Sequence, residues 1–450
     1  MHAQPIPTSY RMIVGRAWPI IVANSAAPLL GLADTAVIGR TGSVASLGAI
    51  ALGALIFSFV YWTFGFLRMS TTGFVARANG SGDEVEVRAT LGRALLMGVG
   101  IGLILIVLQQ PIFRAALSLI GGSEEVETSA GTYLEMRIWA APATLASYAL
   151  MGGLIGLGKS RTLLGIQVFM NALNIGLDVL FAGYMGMGVA GIALGTMIAE
   201  WSSSLLALLL VIRILRGRHR AGSPFWPWAL IADTRQLVRT VFAQLDIMIR
   251  TLTLLVGFGW FTQQGARLGD ATLAANHILL QFISFSAFFL DGYAFATEAL
   301  VGAAAGARRL DVFEILVRRT TVLAGGTALL LATAVLLGGP SLVNALTDLD
   351  AVRRAAVAML PFTALYVLVA FAAFQLDGIY IGVTRTRDMR NAALVSLVIY
   401  LGVGWPLTRS YGNTGLWLAF IIFVIARAST LTLLYPRLRR EIGRAELQRD

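Results

Sequence analysis

Asp34, Asp178, Asn174, Thr196 and Tyr133 are the residues whose types and positions point most directly to chemistry, because each lies inside a long apolar run. Asn174 and Asp178 are spaced i,i+4 and share one helix face, with Asn171 one turn further in. Two carboxylates, an amide, a hydroxyl and a phenol gathered at one depth suit the capture of a cation. Two close carboxylates in a low-dielectric medium cannot both stay ionised cheaply, so one holds a proton or the pair shares a cation. The plainer alternative is that Asp34 and Asp178 only cap or hydrogen-bond neighbouring helices. Ionisable groups within apolar spans are costly and functional by default, which favours coupling. Pro19 and Pro28 precede Asp34 in the same run, and each removes a helix hydrogen bond and permits bending.

A second set of charges lies further along. Asp246 and Arg250 are i,i+4, Asp291 and Glu298 are two turns apart on one face, and Asp377 follows. Ion pairing with Arg250 or Arg68 competes here with a second proton or substrate contact. His277, in an apolar run, is expected to be a hydrogen-bonded core histidine. Catalytic and metal sites are not expected, since there is no cysteine and only three histidines. Gly153–Ser160 matches the phosphate-loop pattern and Gly186–Gly191 a dinucleotide fingerprint, but both lack the strand that aims backbone N–H groups at phosphate. They read as turns.

The elements that must position these residues follow from composition. The chain of 450 residues is 57% hydrophobic and 13% charged, about half the charge of a soluble domain, and its mean hydropathy is +0.76. A soluble enzyme is thereby excluded. Twelve apolar runs read as membrane-spanning helices, at about 17–40, 47–77, 91–112, 127–154, 162–184, 188–212, 238–262, 272–305, 318–340, 352–382, 391–409 and 413–434. Asp34, Asp178, Thr196 and Tyr133 all fall some six to eight residues from the same side of their spans. The net charge of +11 does not imply nucleic acid: 25 cations fall in the termini and alternate loops, against 6 in the opposite loops. That asymmetry places both termini in the cytoplasm.

The sequence also repeats. A shift of 226 residues lays Leu47–Gly80 on Leu273–Gly306 without gaps and Gly156 on Gly382. Six spans and six spans of like orientation make a parallel repeat, as in transporters. The expected organisation is an N-terminal lobe over 1–212, a cytoplasmic linker over 213–237 and a C-terminal lobe over 238–450.

The run Pro28–Gly39 around Asp34 resembles the first helix of the multidrug and toxic compound extrusion (MATE) transporters. Phe64–Gly73, Asn174–Asp178, Leu290–Glu298 and Leu376–Gly382 are similar to the DinF-like branch of that family, and the likeness spans nearly the whole chain. It implies an all-α polytopic fold, two pseudo-symmetric six-helix bundles and a V-shaped cavity. It further implies cation-driven export of small amphipathic or cationic compounds, with the residue matching Asp34 tied to proton coupling. Asn174, Asp178, Thr196 and Tyr133 match the rest of that first-lobe cation site, while a family asparagine in the fourth helix is replaced near Met151. The expected protein is a proton-coupled antiporter of the bacterial inner membrane, monomeric, without cofactor, in which protonation bends the first helix and releases substrate. Sodium coupling, a flippase of a lipid-linked saccharide or phospholipid, and a membrane enzyme stay open as alternatives.

Overall fold

The computed structural model describes residues 6–121, 123–219 and 224–447; the side chains of 27–30, 32, 41 and 120 lie outside that description, as do residues 220–223 of the expected linker. Among the described residues the chain is helical throughout, without a strand. In order come α1 (Tyr10–Ser25), α2 (Ala27–Thr41), α3 (Val44–Thr63), α4 (Phe66–Ser81), α5 (Glu84–Val107), α6 (Gln109–Ile120), α7 (Glu124–Arg137), α8 (Ala141–Gly156), α9 (Ser160–Asp178) and α10 (Gly188–Arg216). They are followed by α11 (Trp228–Ile231), α12 (Thr234–Arg267), α13 (Asp270–Gly306), α14 (Leu310–Leu346), α15 (Asp350–Gly382) and α16 (Thr386–Leu447).

Ten stretches are long and apolar enough to cross a membrane. The last, α16, is broken at Gly412, whose φ of 57° and ψ of −133° suit only glycine. Counting its two parts separately, and α1 with α2 as one interrupted span, gives twelve among the described residues. Outward faces stay apolar: Leu103, Ile104, Leu330 and Leu337 are each more than half exposed, as lipid solvation permits.

The chain divides into two compact units, one of Val22–Asn79 with Asp83–Thr240, the other of Met1–Ile21, Gly80–Gly82 and Val241–Asp450. In the first, α5, α8, α9 and α10 meet around Val75, Leu91, Leu150, Leu154, Ile166 and Leu215. Within the same unit the expected linker is partly structured. α11 packs Ile231 against Gly92 of α5, and Arg93 Nη1 donates to the Leu230 carbonyl at 2.9 Å. The second unit has an aromatic core, in which the Tyr366, Phe420, Phe261 and Trp417 rings lie about each other at centroid distances of 4.6–6.4 Å. The first part of α1 belongs to this unit, with Ala17 buried beside Tyr293, Ala296 and Ala324.

The 226-residue shift governs the elements as well as the letters. The starts Val44, Glu84, Glu124 and Ser160 return at Asp270, Leu310, Asp350 and Thr386. Left-handed backbone recurs in the same register: Gly82 with Arg308, Gly158 with Thr384, Gly186 with Gly412.

Pro19 lies inside α1 without interrupting it. The interruption falls at Ala26, ahead of Pro28, which stands at the start of α2 and whose side chain lies outside the described residues. The carbonyl of Ala26 instead accepts from Asn171 Nδ2 at 3.4 Å, and Asn171 is braced by Gln167 at 3.1 Å. His277, expected in the core, is instead exposed on α13, where Gln281 lies 3.4 Å from its ring. Its run is apolar all round because lipid is as apolar as a protein core, so hydropathy could not tell an outward face from an inward one.

Candidate functional site in the first unit

α2, α7, α9 and α10 bring the five singled-out residues of the first half together. Asp34 is 7% exposed, Thr196 1%, and Tyr133, Asn174 and Asp178 fully buried. Asn174 Nδ2 donates to Thr196 Oγ1 at 3.0 Å, and the Thr196 hydroxyl donates in turn to the Ile192 carbonyl at 3.0 Å. The Asp34 and Asp178 carboxyls are neighbours in this pocket. Both oxygens of Asp178, Oδ1 of Asp34 and Oδ1 of Asn174 are buried and accept from no donor. Four orphaned acceptors are an expensive arrangement for a purely structural cluster.

Local backbone builds this pocket. Asp178 is the last α-helical residue of α9, and a single π turn over Val179–Tyr184 follows it; such wide turns recur at functional sites. Gly195 of α10 lies against the carboxylate, and a Cβ there would sit 2.5 Å from Asp178 Oδ1. Only a residue without a side chain leaves that oxygen its place.

Two further residues join the cluster. Arg137 Nη1 donates to the Tyr133 hydroxyl at 2.9 Å, and Nη2 pairs with Glu200 Oε1 at 3.4 Å. Thr144 donates to the other Glu200 oxygen. Neither Arg137 nor Glu200 is among the residues singled out from the sequence. The signal was present: Arg137 is i+4 from Tyr133 and Glu200 is i+4 from Thr196, so each continues a face already marked.

The charges of the second half belong to the other unit. Arg250 pairs with Asp377, and Arg427 approaches the same carboxylate at 3.6 Å. Asp246 does not pair with Arg250 one turn on; it accepts from Arg390 at 2.7 Å and Thr386 at 2.9 Å. Asp291 lies near Arg427, Glu298 is 1% exposed, and both keep interactions of their own. At the register positions of the first site this unit carries no charge, and two of the five positions are aromatic. Asp34, Asn174 and Asp178 correspond to Trp260, Tyr400 and Gly404. Trp260 stands edge-on to Tyr400 at 4.9 Å, and a Cβ on Gly404 would meet Trp260 Cη2 at 2.6 Å. An indole fills what a carboxylate pair occupies in the first half. Among the described residues no group of three or more acidic or histidine side chains could hold a metal ion.

Twelve apolar spans built as two copies of one helical pattern, with unpaired carboxylates buried inside one copy, define a polytopic membrane transporter. The chain belongs to the MatE family, whose model matches residues 19–180 and again 251–405, once in each half. It is 38% identical over 429 residues to the DNA damage-inducible protein F of Escherichia coli (strain K12), across 94% of this chain and 91% of that protein. It is 28% identical over 466 residues to the probable multidrug resistance protein NorM of Rhizobium meliloti (strain 1021), across 98% and 96%. Its fold matches the bent form of the Vibrio cholerae MATE transporter VcmN with a TM-score of 0.85 at 20% identity, covering 96% of this chain and 98% of that one. The fold expectation and the resemblance to the DinF-like branch are thus both met, and the chain is a membrane transporter of the multidrug and toxic compound efflux family.

Proposed function

We propose that the protein is a proton-coupled antiporter of the bacterial inner membrane, both termini cytoplasmic, which exports amphipathic or cationic organic compounds by alternating access. The observation that carries this reading is the set of four buried acceptors on Asp34, Asp178 and Asn174 that meet no donor. A proton shared by the two carboxyls supplies the missing donor, and its loss leaves repelling charges in a low-dielectric pocket. Asp34 follows the break at Ala26 on α2. Protonation there acts on a helix that is already interrupted, and bending it displaces substrate. The relatives described as multidrug resistance proteins support the substrate class. Sodium is the second reading, because the same four oxygens are also suitable ligands for a small cation.

The test is efflux of a fluorescent cationic dye from proteoliposomes under an imposed pH gradient without sodium. Wild type is expected to transport and Asp34→Asn to stop. An Asp34→Asn variant that transports at the wild-type rate overturns the assignment. No transport by correctly inserted wild type shifts the reading to sodium coupling or to lipid flipping.

A further inference from the structure

Beside the carboxyl pair the first unit carries a charge that proton coupling does not itself require. The Arg137 guanidinium is clamped on three sides: by the Tyr133 hydroxyl at 2.9 Å, by Glu200 at 3.4 Å, and by the face of Phe57, 4.9 Å from the ring centre. Glu200 is fixed in turn by Thr144. The charged and titratable groups around Arg137 are Asp34 on α2, Tyr61 on α3, Tyr133 on α7, Tyr148 on α8, Asp178 on α9 and Glu200 on α10. Glu200 keeps the guanidinium from collapsing onto the Asp34/Asp178 pair, where it would simply take the place of the proton.

A cation entering the pair meets the guanidinium, which is the member of the Arg137–Glu200 ion pair turned toward Asp34 and Asp178. Through-space repulsion penalises a proton and a sodium ion alike. A proton, however, forms a covalent bond to a carboxyl oxygen, whereas sodium is held by electrostatic attraction alone and needs several oxygens. The Tyr133 hydroxyl already accepts from Arg137, and the Thr196 hydroxyl lies between Asn174 and the Ile192 carbonyl, so neither is free to join the four acceptor oxygens around a sodium ion. The same penalty therefore leaves the proton in place and expels sodium.

We infer that Arg137, positioned by Glu200, Tyr133 and Phe57, is the residue that reserves the Asp34/Asp178 site for protons and excludes sodium. The inference rests on the reading of that pair as the coupling site.

The test uses the full-length protein, with sodium chloride as the probe and potassium chloride as control. Sodium-dependent shifts in thermal unfolding are measured in detergent, and transport in proteoliposomes is driven by either a pH or a sodium gradient. Wild type and Arg137→Lys are expected to ignore sodium. The variant Arg137→Met/Glu200→Gln removes both charges together and leaves no unpaired ion. It is expected to gain a sodium-dependent stabilisation, with affinity raised roughly tenfold or more, and to accept a sodium gradient. A role that was merely structural would give no such gain. Sodium binding by wild type that disappears in Asp34→Asn overturns the inference, whether or not the double variant folds. So does a folded double variant as blind to sodium as wild type. Wild-type rates in Asp34→Asn under a pH gradient instead defeat the underlying coupling assignment.

Discussion

Replacing Gly195 by alanine puts the proposed site under the smallest steric load available. The new Cβ would lie 2.5 Å from Asp178 Oδ1 and 3.3 Å from both Asp178 N and Leu177 Cβ. Relaxed contacts of this kind need about 3.5 Å, so the carboxylate or the α9–α10 spacing must yield by about 1 Å. Overpacking of this size costs about 1–3 kcal/mol, and misplacing a reacting group by ~1 Å costs on the order of a hundredfold in rate. Gly176 on α9 is the control, since a Cβ there meets nothing within 4 Å; Gly176→Ala is expected to be neutral or up to about 1 kcal/mol more stable. Thermal unfolding of the two variants in detergent, followed by dye efflux under a pH gradient, separates them. Gly195→Ala should melt lower than Gly176→Ala and lose most of its transport. Equal melting points with wild-type transport in both would refute the claim that α10 confines the Asp178 carboxylate.

Other positions make independent predictions. Arg308 and Thr384 hold φ of 54° and 59°, a conformation that costs a non-glycine residue about 1–2 kcal/mol; Arg308→Gly and Thr384→Gly should each raise the unfolding temperature, and a fall in both would show that the turns are not strained. Asp377→Asn leaves Arg250 and Arg427 without their shared carboxylate and is expected to cost about 3–5 kcal/mol, seen as a reduced yield of folded protein; an undiminished yield and melting point would remove the ion cluster from the account of stability.

Much of the architecture was legible because the bilayer fixes span length. Long apolar runs separated by short charged turns have few other readings, and the 226-residue shift marks the two halves in the sequence itself. The five first-half residues were legible through depth: Asp34, Tyr133, Asp178 and Thr196 lie at similar distances from their span ends, and Asn174 shares a face with Asp178. What escaped notice depends on packing between helices. The π turn after Asp178 and the space left by Gly195 are relations between α9 and α10, with no signature in either alone. The exposed position of His277 was hidden because lipid-facing and core-facing stretches have the same composition. Glu200 lies one turn beyond Thr196 on the same face, and nothing in its own run sets it apart from an ordinary charge near a helix surface.

The shared register of the helix starts carries a history. Surface turns are where insertions and deletions accumulate, yet four successive starts in the second half stand 226 residues after their counterparts. A duplicated chain that drifted freely would have lost that count at its first altered turn. Here the junction lengths agree where the chemistry does not, since Asp34, Asn174 and Asp178 correspond to Trp260, Tyr400 and Gly404 at the same interval. The two copies keep their frame in step while differing in content, one holding the polar pocket and the other packing Trp260 against Tyr400. Across the two halves the spacing of the turns is the same where the residues of the pocket are not.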